Sequence, residues 1–461
     1  MKKTRLEFDS IGEVEVPMDR YWGAQTQRAL RHFKIGQEIM PQEIIFALAL
    51  IKRAAAQVNC EISNLSKNKA KHIIRACDEI LAAKLNDHFP LTIWQSGSAT
   101  QTNMNINEVI ANRAIVFAGG KLGSKKPIHP NDDVNMSQST NDVFPTAMHI
   151  ATQLIITKKL LPALSFLRNE LQRIEKKFNK VLKIGRTHLQ DALPMTLGQE
   201  FSGYVAQIDL AIRSIKSQTK YLQNLAIGGT AVGTGLNAPN QFAKKMAKRL
   251  SELTGLKFKS APNKFCALAS HDELLMTSSA LKTLATVLYK ITNDIRWLSS
   301  GPRCGLGELI LPGNEPGSSI MPGKVNPTQC EVMLMVCAQV IGSDAVVSFA
   351  NSQGNFELNV FKPVIIYNVL QSIHLLSNAC TSFGCYAIKK LDINQRQLDS
   401  FVGKSLMYVT ALNPIIGYDK SCKIAKYALI NNISLREASI KLKLLTAKEF
   451  DSIIQPRKLT H

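Results

Sequence analysis

No stretch of the chain approaches the ~20 uninterrupted apolar residues that a membrane-spanning helix requires. The beginning, Met1-Lys2-Lys3-Thr4-Arg5-Leu6-Glu7-Phe8-Asp9, is basic but has no apolar run behind it, so it does not read as a secretory signal. Metal-binding spacings are missing as well. There is no CxxC, no HExxH, no His cluster suited to zinc, and no closely spaced Cys trio of the iron–sulfur kind. The nine cysteines, Cys60, Cys77, Cys266, Cys304, Cys330, Cys337, Cys380, Cys385 and Cys422, are odd in number and scattered. They read as reduced thiols of a cytoplasmic protein, most of them small core residues. Internal repeats and low-complexity segments are also lacking.

What is present is a chain of 461 residues, enough for two or three domains. It is 45% apolar and 20% charged, the composition of a soluble globular protein. The formal net charge of +21 is its one unusual bulk property. Nucleic-acid binding is one explanation of such a charge, a lysine-rich solvated surface another. The last 71 residues hold eleven Lys and Arg against six Asp and Glu, or +5, where a proportional share of +21 over 461 residues is about +3. The charge is therefore spread rather than gathered into an arm, which argues against nucleic acid as the partner. Spread positive charge would help to steer a small dianion.

Residues Ile11–Pro17 alternate apolar and polar side chains, which predicts a short strand. From Pro41 to Ala83 the period is helical, and Gly and Pro punctuate the chain at Phe89-Pro90 and Gly119-Gly120. Beyond about residue 143 long helical periods dominate. Leu197, Phe201, Tyr204, Val205, Ile208, Ile212, Ile215 and Leu222 form one apolar stripe, predicting a helix of nearly thirty residues. Residues 267–300, 327–350 and 363–390 read similarly. Helices of this length exceed what one small core needs and point to a bundle that buries further faces between subunits. In the last seventy residues, Ser434-Leu435-Arg436-Glu437 and Thr446-Ala447-Lys448-Glu449 are capping boxes, each opening a short helix. They predict a small helical cap rather than a DNA-reading pair. The expected organisation is mainly α: a mixed, mostly helical N-terminal domain at 1–140, a central long-helix bundle at 141–392, and a small helical domain at 393–461.

Five segments rich in small polar residues and Gly lie between apolar helices, where buried polar groups need partners or a ligand. They are Gly97-Ser98-Ala99-Thr100-Gln101-Thr102-Asn103-Met104-Asn105; Ser137-Gln138-Ser139-Thr140-Asn141-Asp142, following His129-Pro130-Asn131-Asp132; Gly185-Arg186-Thr187-His188-Leu189-Gln190-Asp191; Gly228-Gly229-Thr230-Ala231-Val232-Gly233-Thr234-Gly235; and Gly317-Ser318-Ser319-Ile320-Met321-Pro322-Gly323-Lys324-Val325-Asn326-Pro327, with Glu331 close behind. The Gly228–Gly235 run has neither the Lys of a phosphate-binding loop nor a strand–turn–helix setting, so it reads as a tight loop where backbones approach closely. Singly, each of the others also fits a helix cap, a turn or a satisfied structural histidine. Their joint occurrence is what carries weight.

Together these segments resemble the fumarase/aspartase superfamily, and within it the class II fumarases. GSSIMPGKVNP matches the superfamily signature in full, and SQSTND and GRTHLQD match its two other shared regions. Trp22–Arg28 (WGAQTQR), Asn263–Asp272 and Gly354–Pro363 extend the likeness over nearly the whole chain. Aspartate ammonia-lyases are the nearest competitor, and they carry Gln where this chain has His188. One departure from the fumarase pattern is Ala99, where Gly is usual; its methyl group is expected to tighten the pocket slightly.

The resemblance implies a cofactor-free, metal-independent hydro-lyase that interconverts fumarate and malate in the tricarboxylic acid cycle. It further implies a three-domain fold whose long helices form the core of a homotetramer, with each active site assembled from three subunits. It makes Ser318 the base that takes the carbon-bound proton. His188 with Glu331 becomes the acid/base pair for the departing water. The division of proton transfers between Ser318 and His188 stays open. The dianionic substrate is expected to bind through Ser98, Thr100, Ser139, Thr140, Asn141, Thr187, Ser319, Lys324 and Asn326. Lys324 and Asn326 suit the carboxylate on which charge grows, and neutral hydroxyls bind a dianion without over-stabilising the ground state. Serine is a poor base unaided, so activation by nearby donors, Lys324 included, is expected. Gly317, Pro322 and Gly323 suggest a hinged loop. Lys126, His129, Asn131 and Asp132 resemble a second anion site of the family; a capped turn after Pro127 and Pro130 explains the same residues equally well.

Overall fold

A computed structural model describes residues 3–455 and is predominantly helical. The expected strand is Gly12–Pro17, paired antiparallel with Thr4–Asp9. The first strand escapes sequence reading because its pattern is inverted. Leu6 and Phe8 face solvent, while Glu7 is buried and accepts from Arg5 Nε at 2.8 Å.

The helical period of Pro41–Ala83 is two helices, Gln42–Glu61 and Lys67–Leu81. Ser63 takes a positive φ between them, and Ser66 caps the second through Lys69 N. The long helices follow where the apolar stripes place them: Leu197–Gln218, Asp272–Leu298, Thr328–Asn351 and Lys362–Phe383. The first has 22 residues, shorter than the stripe suggests. Near its end Ser217 and Thr219 hydroxyls donate to the carbonyls of Ser214 and Lys216 at 2.7 and 2.8 Å, a local alternative to continued helix. Leu222 stays buried on a separate 3-10 turn, Tyr221–Gln223.

The chain divides into two compact units. One comprises residues up to Pro162, Ile212–Ala285 and Ala338–Ser377; the other comprises Ala163–Ala211, Thr286–Cys337 and the chain from Asn378 onward. In the first unit the helices Gln42–Glu61, Lys67–Leu81, Thr100–Phe117 and Thr140–Ile155 pack together. Their core includes Ile44, Leu48, Ile51, Ile106, Ile110, Phe144 and Met148, and every position of Thr140–Ile155 is buried save Asn141 and Leu154. Burying side chains of this size contributes ~1.5–3 kcal/mol apiece.

The second unit contains an antiparallel hairpin, Leu182–Thr187 with Gln190–Thr196. It also contains the C-terminal helices Tyr418–Asn431, Leu435–Lys441 and Ala447–Ile453. Both expected capping boxes are formed: Ser434 N donates to Glu437 at 2.9 Å and Thr446 N to Glu449 at 2.7 Å. Their core joins Tyr408, Leu412, Ile424, Ala428, Leu435 and Phe450 to Ile184 of the hairpin.

Candidate active site

In the first unit two helix N-termini meet. The helix Thr100–Phe117 starts after Ala99, and Thr140–Ile155 starts after Ser139. Asn103 Nδ2, in the first turn of one helix, donates to Thr140 Oγ1 at the head of the other at 2.9 Å. The Ser98 and Thr100 hydroxyls are 2.8 Å apart, and Ser96 and Ser98 are also 2.8 Å apart. Ser98, Thr100, Ser139 and Thr140 thus stand at helix N-termini, whose dipoles favour an anion. The approach is close: a Cβ on Gly97 would lie 1.5 Å from the carbonyl oxygen of Val360, so only glycine fits. Ala99 is buried with φ +64°, the left-handed region that favours glycine. Its methyl therefore bears on backbone conformation as well as on space.

Asp142 holds this platform to the Gly228–Gly235 loop. Its Oδ1 accepts from Ser139 N at 2.9 Å in a capping box. Its Oδ2 accepts from Gly228 N at 2.7 Å and Thr230 N at 3.0 Å, and Asn141 Nδ2 donates to the carbonyl of Ala231 at 2.8 Å. The tight-loop reading of this segment thus acquires a partner. A Cβ on Gly228 would lie 2.6 Å from that of Ala243. Burial raises the Asp142 carboxyl to about 6, against the lowering effect of its amide donors and of Lys52. Lys52 is itself fully buried and donates to Asn135 Oδ1 at 2.8 Å and Gln138 Oε1 at 3.1 Å; desolvation lowers its ammonium to about 7.

In the second unit the signature segment forms an exposed loop that leads into Thr328–Asn351. Gly317 N donates to the carbonyl of Lys324 at 3.0 Å, and Asn326 Nδ2 to the carbonyl of Gly317 at 2.5 Å, closing the loop. Inside it Ser318 Oγ accepts from the amides of Ile320 at 3.3 Å and Met321 at 3.1 Å. Two amides aimed at one hydroxyl oxygen favour its developing negative charge. Of the nearby donors expected to activate Ser318, the backbone amides are in place in this conformation; among the described residues no hydrogen bond joins Lys324 to Ser318. Ser319 and Lys324 are exposed and Asn326 half-buried. Lys324 and Asn326 line a cavity of about 790 Å³ with Arg296, Trp297 and Asn394. Glu331 is exposed in the first turn of the following helix.

Thr187 and His188 lie at the tip of the hairpin. His188 and Leu189 form its two-residue turn with φ +56° and +60°, the paired left-handed geometry that suits strand twist. Asn, Asp and His enter this region more readily than other non-glycine residues. The imidazole is exposed, and among the described residues no hydrogen bond or ion pair joins it to Glu331.

The residues that resemble a second anion site form a capped turn. His129 Nδ1 accepts from the amides of Asn131 and Asp132, both at 3.2 Å, and lies 3.4 Å from the Asp132 carboxylate. Lys126 is exposed nearby. Sequence reading missed Lys52 and Asp142 as organisers. Lys52 had a signal, one of two adjacent charges, Lys52 and Arg53, in the otherwise apolar stretch Ile44–Ala56. Asp142 had one as well, in its position three residues after Ser139.

Residues 12–342 match the family described as Lyase, and residues 409–461 match Fumarase C C-terminus. The chain is 60% identical over 448 residues to a fumarate hydratase class II of Thermosynechococcus vestitus, with 97% of this chain and 96% of that protein covered. It is 56% identical over 455 residues to one from Helicobacter pylori, covering 99% and 98%. The crystal structure of a recombinant class II fumarase from Schistosoma mansoni superposes with a TM-score of 0.97 at 46% identity, covering 99% of both chains. By sequence over its full length and by fold, the chain belongs to the class II fumarate hydratase family of lyases.

Proposed function

We propose that this protein catalyses the reversible anti addition of water to fumarate, giving (S)-malate, as a step of the tricarboxylic acid cycle. The observation that carries the reading is Ser318, whose hydroxyl oxygen sits under two loop amides in the segment that also presents Lys324 and Asn326. In the dehydration direction Ser318 Oγ takes the proton from the carbon beside one carboxylate. Lys324 and Asn326 stabilise the charge that moves onto that carboxylate. His188 transfers a proton to the departing hydroxide, supported by Glu331. The helix N-termini at Ser98–Thr100 and Ser139–Asn141 hold the dianion, with Thr187 and Ser319 adding hydroxyls. Lys126, His129, Asn131 and Asp132 form an outer anion site.

We propose that the enzyme is a homotetramer with each site drawn from three subunits, so that His188 and Glu331 meet across chains. In support, the apolar helix Thr328–Asn351 is only a third buried within one chain and leaves Val332, Met335, Val346 and Phe349 exposed. The enzyme works without metal or organic cofactor, in the cytoplasm, and has neither nucleic acid nor membrane as partner. Nine free thiols fit a reducing compartment.

The test is incubation of the purified protein with malate while the ultraviolet absorbance of the new double bond is followed, with and without chelator. Growth of that absorbance in both samples is expected; none in either removes the proposal. Formation of aspartate from fumarate and ammonia would move the activity to the aspartase branch.

A further inference from the structure

The first strand of the hairpin that carries His188 is fixed by buried charge. Side chains alternate between faces along a strand, so Lys183 and Arg186, three positions apart, belong on opposite faces. Between them the register shifts: Gly185 on the first strand stands against two residues, Ala192 and Leu193, on the second. The extra residue is on the second strand; such a bulge bends that strand and increases the local twist of the pair, and both cations of the first strand reach one carboxylate. Glu308 Oε1 accepts from Arg186 Nη2 at 2.5 Å, and Oε2 lies 3.3 Å from Lys183 Nζ. Glu308 is 0% exposed and Lys183 1%. Lys183 also donates to both oxygens of Glu200 at 2.8 Å, so two cations face two carboxylates and the group is neutral.

The backbone of Glu308 is tied on both sides. Its own amide donates to the carbonyl of Leu298 at 2.8 Å, and its carbonyl accepts from Asn394 N at 2.9 Å. The Arg186 guanidinium also stands 5.5 Å from the centre of the Phe401 ring, and Ile184 is sunk in the C-terminal helical core. At Gly185 a Cβ would meet the carbonyl oxygen of Leu193 at 2.9 Å. These restraints act along the first strand, from Lys183 to Arg186 two residues short of the tip, whereas the imidazole itself makes no hydrogen bond among the described residues.

We infer that Glu308 is a positioning residue for His188: by clamping Lys183 and Arg186 on either side of the bulge, it sets the direction in which the hairpin presents the imidazole to substrate. The inference rests on the acid/base role of His188 proposed above. Glu308 touches no substrate and acts only through the strand.

The test is a double-mutant cycle on the full-length enzyme, using Glu308→Gln, His188→Asn and the pair, with kcat and KM for malate as readouts. Glu308→Gln keeps the shape and removes the charge. It is expected to lower kcat ~10–100-fold, the scale of a misplacement near 1 Å, with KM nearly unchanged. In the His188→Asn background the same change should have no further effect on kcat, because there is no imidazole left to misplace. An equal fall in both backgrounds overturns the inference, since it would mean general damage to the site. Normal kcat in Glu308→Gln overturns it too. Near-normal turnover in His188→Asn alone instead removes the role of His188, a failure visible without reference to Glu308. Should Glu308→Gln not fold, Arg186→Lys, which keeps the charge but loses the forked guanidinium, goes through the same cycle with the same expectations.

Discussion

Replacing Gly317 by alanine would put a methyl carbon 2.2 Å from the carbonyl oxygen of Lys324, where carbon–oxygen contacts normally settle near ~3.3 Å. The obstacle is backbone and cannot swing aside, so the two sides of the loop must part by roughly 1 Å. The same carbonyl accepts the Gly317 N–H at 3.0 Å, and the Gly317 carbonyl accepts from Asn326 at 2.5 Å, so both bonds that close the loop are disturbed. Few apolar contacts go with them, because Ser319–Val325 is exposed. Two hydrogen bonds, at ~0.5–1.5 kcal/mol each, set the scale of the stability loss, which is a shift of a few degrees in Tm for a chain of this size. Turnover should suffer far more. Ser318 and Lys324 are displaced together, and ~1 Å of misplacement costs on the order of 100-fold in rate. The assay pairs kcat for malate dehydration with thermal unfolding followed by circular dichroism. A kcat near that of the unchanged enzyme would refute the argument that the closed loop is the working one. A collapse of Tm would show that the loop supports the fold as a whole.

Three further outcomes are expected. His188→Asn, whose side chain tolerates the left-handed turn, and Ser318→Ala should each lower kcat by at least ~100-fold with the fold intact; near-normal rates for either would remove that residue from the mechanism. Ala99→Gly removes a left-handed alanine, a gain of ~1–2 kcal/mol, but empties a buried methyl site worth ~0.8 kcal/mol and frees the unfolded chain by ~0.4–1 kcal/mol. Its Tm should therefore hardly move, and a large change in either direction would contradict that balance. Asp142 titrates at about 6 in the fold against an ordinary 3.8, so the folded state holds the proton more tightly. Its contribution should then decline as pH rises from about 4 through 6, by up to about 3 kcal/mol. Thermal melts across that range should show the unchanged enzyme losing ground relative to Asp142→Asn; a constant gap would contradict the raised titration.

The long helices were legible because burial imposes its period on sequence, as the stripe from Leu197 to Ile215 shows. The capping boxes at Ser434 and Thr446 were legible because two side chains at fixed spacing satisfy the first amides of a helix. Thr4–Asp9 was not legible, since its buried residue is Glu7 and its apolar ones face water, the reverse of the usual alternation. In the candidate site, residue types at Ser98–Thr100, Ser139–Asn141, His188 and Ser318–Asn326 pointed to the proposed chemistry, while their partners stayed hidden. The pairing of Asp142 with the Gly228 and Thr230 amides spans more than eighty residues, and that of Glu308 with Arg186 spans 122. No local pattern records such distant pairings. The left-handed backbone of Ala99 was equally invisible, because alanine ordinarily avoids it.

The most direct measurement of the central claim is hydration of fumarate in heavy water, with the malate examined by proton magnetic resonance. A serine that protonates one face of the bond while water adds to the other predicts malate bearing a single deuterium, at one of the two methylene positions, as one diastereomer. No malate, or deuterium spread over both methylene positions during a single conversion, would contradict it.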